Sequence, residues 1–105
     1  KAVEGRRPVL VDGGFMRGAD VVKALCLGAT AVGVGRFEAL AVAAGGYEGL
    51  VRALQILERE VAITMTLLGA ATLGDLNPDL LQRQGGATGH QYLSAFPFLD
   101  EDYFT

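Results

Sequence analysis

Val9-Leu10-Val11-Asp12-Gly13-Gly14 is the stretch of sequence that decides the fold. Its apolar run predicts a buried strand, and its two glycines predict a loop too tight for side chains. A second run of the same kind, Ala31-Val32-Gly33-Val34-Gly35-Arg36, lies further along the chain, and a helical pattern follows each run. Two strand–loop–helix units in succession predict an α/β fold. In it, Val9–Val11 and Ala31–Val34 are adjacent parallel strands, buried on both faces.

The ends of the two predicted strands indicate an anion site. Parallel strands of this kind bring their loops to one shared edge, so Gly13-Gly14 and Gly35 should lie together there, with Arg17 and Arg36 beside them. Backbone N–H groups and helix N-termini bind phosphate well, and glycine lets the backbone come close. We therefore predict a phosphate site at this edge.

Apolar residues at helical spacing predict four helices. The predicted helices run from about Ala19 to Leu27, from Phe37 to Ala44, from Tyr47 to Leu68 and from Pro78 to Leu81. Gly28 is expected to end the first helix, Gly45-Gly46 to break the second from the third, and Asn77 to cap the last. The positive dipole end of the short second helix would lie beside the predicted phosphate.

Composition limits the classes of protein to which the chain can belong. Of its 105 residues 50% are hydrophobic and 20% are charged, with a net charge of −3. This is the composition of a globular protein, and without a basic excess nucleic acid is not an expected partner. The single cysteine, Cys26, lies in a helical pattern and is predicted to be a buried small hydrophobe. A disulfide framework is therefore excluded, no metal site is predicted, and a cytoplasmic location is expected.

The two ends of the chain read differently from its middle. Lys1-Ala2-Val3-Glu4-Gly5 resembles the last turn of a helix that began earlier, so we expect the chain to be the end of something longer. Residues 82–105 form a glycine-rich and then aromatic and acidic tail. We predict that its segment from Tyr92 to Phe104 packs against another part of the protein or a neighbouring subunit.

Several of these runs together resemble a known family. The matching segments are Val11-Asp12-Gly13-Gly14-Phe15-Met16-Arg17-Gly18-Ala19-Asp20-Val21-Val22-Lys23-Ala24-Leu25, Leu27-Gly28-Ala29, Gly33-Val34-Gly35-Arg36, Ala43-Ala44-Gly45-Gly46, Gly49-Leu50 and Glu60-Val61-Ala62-Ile63-Thr64-Met65. They are similar to the C-terminal part of the flavin-dependent 2-hydroxy acid oxidising enzymes, a group that includes glycolate oxidase, lactate oxidase and mandelate dehydrogenase. The resemblance covers about residues 1–81.

The resemblance implies a fold and a cofactor. Residues 1–81 would be the last two strand–helix units of an eightfold β/α barrel (TIM barrel), a fold whose last loops commonly hold a phosphate. In this family the phosphate is that of FMN. The residues that match the family's phosphate-binding positions are Asp12, Gly13, Gly14, Gly35 and Arg36. Met16 stands where the family usually carries an arginine. Either Arg17 takes over that contact, or backbone N–H groups and Arg36 hold the phosphate.

The resemblance also implies where the chemistry lies. The catalytic histidine of this family comes from an earlier strand, whereas the only histidine here, His90, lies in the glycine-rich tail. No catalytic residue is therefore assigned to this chain. The complete enzyme would oxidise a small 2-hydroxy acid, with the N-terminal part of the barrel as the partner of this chain. A homo-oligomer is expected, and membrane association stays open for a dehydrogenase that uses a quinone.

Two alternatives remain at this point. One is a fragment of another phosphate-binding barrel, similar to inosine monophosphate dehydrogenase or glutamate synthase. The other is a non-catalytic half-barrel that assembles with copies of itself.

Overall fold

A computed structural model of the chain describes Val3 and residues 5–82. The elements are β1 (Leu10–Asp12), α1 (Gly18–Cys26), β2 (Ala31–Gly33) and α2 (Gly35–Leu68), followed by two 3₁₀ turns, Leu73–Asp75 and Pro78–Leu80. The predictions made for the aromatic tail and for His90 fall outside the described residues. Within them, no helix is long and apolar enough to cross a bilayer.

The two strands pair in parallel, as predicted. Leu10 lies opposite Ala31, Val11 opposite Val32 and Asp12 opposite Gly33. The last pair explains one glycine, because a Cβ at position 33 would lie 2.9 Å from the carboxyl carbon of Asp12. The loops after both strands therefore leave from the same edge of the sheet.

The predicted burial of both strands is wrong for this chain. All three residues of β1 are exposed, Leu10 at 76% and Val11 at 36%, and Ala31 of β2 is exposed as well. Two parallel strands have two open edges, and the described part of the chain supplies no further strand and too little helix to cover their faces. The apolar runs are typical of a buried strand, but the layers that would bury them are not among the described residues.

Helix α1 begins at Gly18, one residue before the predicted start. The Asp20 carboxylate accepts hydrogen bonds from the N–H groups of Met16 at 3.2 Å and Arg17 at 3.0 Å. After the helix, Gly28 takes a positive φ of 95° and its N–H donates to the carbonyl of Leu25 at 2.9 Å. This confirms Gly28 as the glycine that ends the helix.

Helix α2 is broken at the predicted place. Gly45 and Gly46 have non-helical torsions, and Gly46, with φ 59° and ψ −143°, lies in a region that only glycine adopts readily. The first part begins at Gly35, earlier than the predicted Phe37. It folds closely onto the second part, because a Cβ on Gly49 would lie 2.6 Å from the carbonyl oxygen of Ala41.

The core lies between α1 and the end of α2. Val22, Cys26, Ala70 and Leu76 are buried, and Leu25, Val61, Met65, Leu68, Leu80 and Leu81 pack around them. Cys26, 1% exposed, is the buried small hydrophobe that the sequence predicts. The approach of the two helices leaves no room for a side chain at Gly18, where a Cβ would lie 2.5 Å from the backbone of Glu60 and Val61.

The last predicted helix is a single 3₁₀ turn. It covers Pro78–Leu80, and the Asn77 side chain accepts a hydrogen bond from the N–H of Asp79 at 3.0 Å, which confirms Asn77 as its cap. With one turn formed between Asn77 and Leu81, the segment is too short to add α-helical bonds.

Candidate anion-binding site

A small cavity of about 60 Å³ lies at the edge of the sheet where both strands end. Its lining residues are Asp12, Gly13, Gly14, Phe15, Met16, Gly33, Val34, Gly35, Arg36 and Leu40. The loop after β1 forms one wall, and the start of α2 forms the other. The fold thus brings together five of the six residues that the sequence selects, and it leaves out Arg17.

The first wall is a loop of backbone. Gly13 and Gly14 both have positive φ, 107° and 77°, so other residues would be strained there. The Asp12 carboxylate accepts a hydrogen bond from the N–H of Gly13 at 2.7 Å. Asp12 therefore fixes the turn that leads out of the strand.

The second wall is the N-terminus of α2. Its first backbone hydrogen bond runs from the N–H of Glu38 to the carbonyl of Val34 at 2.9 Å. The N–H groups of Gly35, Arg36 and Phe37 therefore have no acceptor inside the helix. Arg36 is exposed, and it makes no ion pair with any residue that the structure describes. Free donors, the helix dipole and a guanidinium together favour an anion.

The cavity fits a phosphate but not a whole cofactor. A Cβ added to Gly13, Gly14 or Gly35 would meet no described atom within 4 Å, so the space beside these glycines is open. Sites for complete small molecules measure roughly 300–1,000 Å³, several times the volume of this cavity. It can enclose the anionic end of a larger molecule, whose remainder would lie beyond these two walls.

Arg17 does not line the cavity and is paired with Glu60 of α2. Its Nε lies 2.9 and 3.1 Å from the two carboxylate oxygens, and its Nη2 lies 2.7 Å from Oε1. Glu60 Oε2 also accepts a hydrogen bond from the N–H of Gly18 at 2.8 Å. The hydrogen bonds from Arg17 and then Gly18 lower the pKa of Glu60, and the same pairing raises the pKa of Arg17. Its predicted phosphate contact stays a prediction.

The sequence shows one feature of the site and misses another. Met16 lines the cavity, so an uncharged side chain stands at the position where the resemblance leads one to expect an arginine. The partner of Arg17 is Glu60, 43 residues away on α2. Glu60 begins one of the segments that resemble the family, but no periodicity or motif relates residues at that distance, so the sequence does not predict its pairing with Arg17.

The chain is similar to known proteins over most of its length. A model of the FMN-dependent dehydrogenase family matches residues 1–83. The chain is 49% identical to L-lactate dehydrogenase (cytochrome) of Saccharomyces cerevisiae, over 70% of this chain and 12% of that protein. It is 50% identical to L-lactate oxidase of Roseobacter sp. (strain GAI101), over 76% of this chain and 22% of that protein.

A solved structure of an active mutant of (S)-mandelate dehydrogenase is similar in fold as well. The TM-score is 0.75 at 40% identity, and the match covers 79% of this chain and 24% of the other. The chain therefore spans less than a quarter of each of these three proteins. Of the possibilities that the sequence left open, the matches favour the 2-hydroxy acid oxidising enzymes over the other phosphate-binding barrels.

Proposed function

The chain belongs to the family of FMN-dependent dehydrogenases, and from this premise we propose that its cavity binds the phosphate of FMN. FMN is the cofactor of the family. The observation that carries the proposal is the convergence of the glycine loop after β1, the N-terminus of α2 and Arg36 on one small cavity. A phosphate dianion leaving water needs several donors at once, and this cavity offers both backbone and guanidinium donors.

We propose the following roles for the predicted site residues. Gly13, Gly14 and Gly35 let the phosphate approach the backbone, and Arg36 neutralises charge. Asp12 holds the loop through the N–H of Gly13, where its hydrogen bond is short. A second carboxylate oxygen is left over to accept from a cofactor hydroxyl. Arg17 supports the site from the rear of the loop, where it pairs with Glu60.

The chain would act as part of a larger barrel. We propose that it supplies the last two strand–helix units of an eightfold β/α barrel, with residues 1–81 in the barrel and residues 82–105 as its tail. The exposed faces of β1 support this, because a continuous apolar strand is stable only under neighbouring layers. The N-terminal part of the barrel is the required partner, and the complete enzyme forms a homo-oligomer.

The proposed reaction of the complete enzyme is the oxidation of a small 2-hydroxy acid to the 2-oxo acid. The relatives support this substrate class, since their names give lactate and mandelate as the molecules that they oxidise. Bound FMN supplies the acceptor for the hydride equivalent that leaves the α-carbon. The base that removes the hydroxyl proton would come from an earlier strand. The residues described here bind and orient the phosphate end.

Replacement of Arg36 tests the phosphate assignment. A hydrogen bond to a charged group contributes roughly 1.5–3 kcal/mol, so Arg36→Ala in the complete enzyme should weaken FMN binding by about one to two orders of magnitude. The measurement is the Kd of FMN and of riboflavin, followed by quenching of flavin fluorescence. Riboflavin lacks the phosphate, so its affinity should hardly change.

Arg52→Ala is the matched control, because Arg52 is an exposed arginine of α2 that does not line the cavity. It should leave the affinity for FMN unchanged. An Arg36→Ala enzyme that bound FMN as tightly as its parent would overturn the assignment.

A further inference from the structure

One carboxylate fastens the phosphate loop to α2. Glu60 receives the Arg17 guanidinium through both of its oxygens and the N–H of Gly18 through Oε2. Arg17 and Gly18 directly follow Met16, the last residue of the loop that lines the cavity. The residue that binds the Glu60 carboxylate, Arg17, is therefore the immediate neighbour of a residue that lines the cavity.

The same helix carries the opposite wall of the cavity. Glu60 lies in the second part of α2, and Gly35 and Arg36 begin the first part. The close contact of Gly49 with the carbonyl of Ala41 ties the two parts together across the break. At the start of α1, a Cβ on Gly18 would lie 2.5 Å from the backbone at Glu60. Helices α1 and α2 are therefore in close backbone contact where the ion pair forms.

We propose that Glu60 is a positioning residue for the cofactor phosphate. It acts through Arg17 and Gly18 to hold the loop Gly13–Met16 at a fixed distance from the start of α2. On this account Arg17 contributes by holding the loop and does not itself touch the phosphate. The inference rests on the proposed function, since it deepens the role of the same site.

A purely structural ion pair would behave differently. It would stabilise the packing of α1 on α2. Its loss would reduce the affinities for FMN and riboflavin equally, or change neither. A positioning residue sets the distance between the two phosphate-binding walls. Its loss should therefore reduce the part of the affinity that comes from the phosphate, and leave riboflavin binding nearly unchanged.

Glu60→Gln tests the proposal in the complete enzyme. Glutamine keeps the shape and one oxygen acceptor for the N–H of Gly18, but it removes the charge that holds Arg17. We expect FMN to bind roughly tenfold more weakly, with riboflavin within about twofold of its parent value. Glu58→Gln, an exposed glutamate on the same helix, is the matched control and should change neither affinity.

A double-mutant cycle separates the two roles of Arg17. If Arg17 acts only through Glu60, then Arg17→Gln, Glu60→Gln and the double variant should all weaken FMN by about the same factor. If Arg17 touches the phosphate, Arg17→Gln should cost clearly more than Glu60→Gln, and this result would overturn the proposal. Equal losses of FMN and riboflavin, or an unchanged affinity for FMN, would overturn it as well.

Two further measurements keep these outcomes distinct. Arg17→Lys preserves the charge but loses the planar fork of the guanidinium, so it should reduce the affinity for FMN less than Arg17→Gln does. This variant replaces Glu60→Gln as the test if Glu60→Gln does not fold. The parent enzyme is compared for FMN and riboflavin first. A parent that did not prefer FMN would refute the phosphate assignment itself, whereas a preference unaffected by Glu60→Gln would refute only the positioning role.

Discussion

Met16 places an uncharged side chain at the cavity, at the position where the resemblance implies an arginine. It lies at the cavity, yet its only described hydrogen bond is made by its backbone N–H to Asp20. The next residue, Arg17, pairs with Glu60 and does not line the cavity. Arg36 is therefore the one guanidinium among the residues that line the cavity, and an anion bound there would depend on Arg36 and on backbone N–H groups.

Restoring an arginine at position 16 should strengthen the site. Met16→Arg places a charged donor at the cavity, worth roughly 1.5–3 kcal/mol to a bound anion, so FMN should bind about tenfold more tightly. Titration of the apoenzyme with FMN and with riboflavin measures this, and riboflavin should gain nothing. Met16→Leu is the control for size and should match the parent. Equal FMN affinities for all three proteins would mean that no donor is missing.

At the scale of elements, glycine decides how closely the helices pack. Gly18 allows α1 to lie against the backbone of α2, Gly33 makes room for Asp12, and Gly49 lets the two parts of α2 fold together. The sequence predicts Gly45-Gly46 as a break. It gives no such hint for Gly18, because the partner backbone lies more than forty residues further along the chain.

Gly18→Ala should therefore destabilise the packing of α1 on α2. The added methyl group would meet the Glu60 and Val61 backbone at 2.5 Å, and overpacking of this kind costs about 1–3 kcal/mol. Urea denaturation of the complete apoenzyme measures the loss. Gly74→Ala is the control, since its Cβ would make an ordinary contact with the Thr72 hydroxyl at 3.6 Å, and it should change stability by less than about 0.5 kcal/mol. If the two variants were equally stable, the close approach at Gly18 would be refuted.

At the scale of the whole molecule, local sequence patterns predict secondary structure but not burial. The parallel strands, the break in α2, the helix-ending Gly28 and the Asn77 cap follow from local patterns, and the structure confirms each of them. Strand burial does not follow from such patterns, because it depends on covering layers that are not among the described residues. A groove of about 370 Å³ between α1, β2 and α2 is likewise left uncovered by the described residues, although almost all the residues that line it are apolar.

This shortfall of burial predicts how the isolated chain behaves. Only four hydrophobic side chains are buried among the described residues, while Leu10, Tyr47 and Leu67 are 76%, 80% and 83% exposed. A core of this size cannot offset the conformational entropy of some eighty ordered residues, at roughly 1–2 kcal/mol each for the backbone alone.

Expressed alone, the 105-residue chain should therefore bind a hydrophobic dye, unfold without a cooperative transition and retain no flavin after gel filtration of a mixture with FMN. Co-expression with the N-terminal part of the barrel should give a yellow complex that unfolds cooperatively, with the uninterrupted enzyme as control. A colourless, cooperatively folded homo-oligomer of the chain alone would instead establish a self-assembling half-barrel, because copies of the chain would then supply the missing layers.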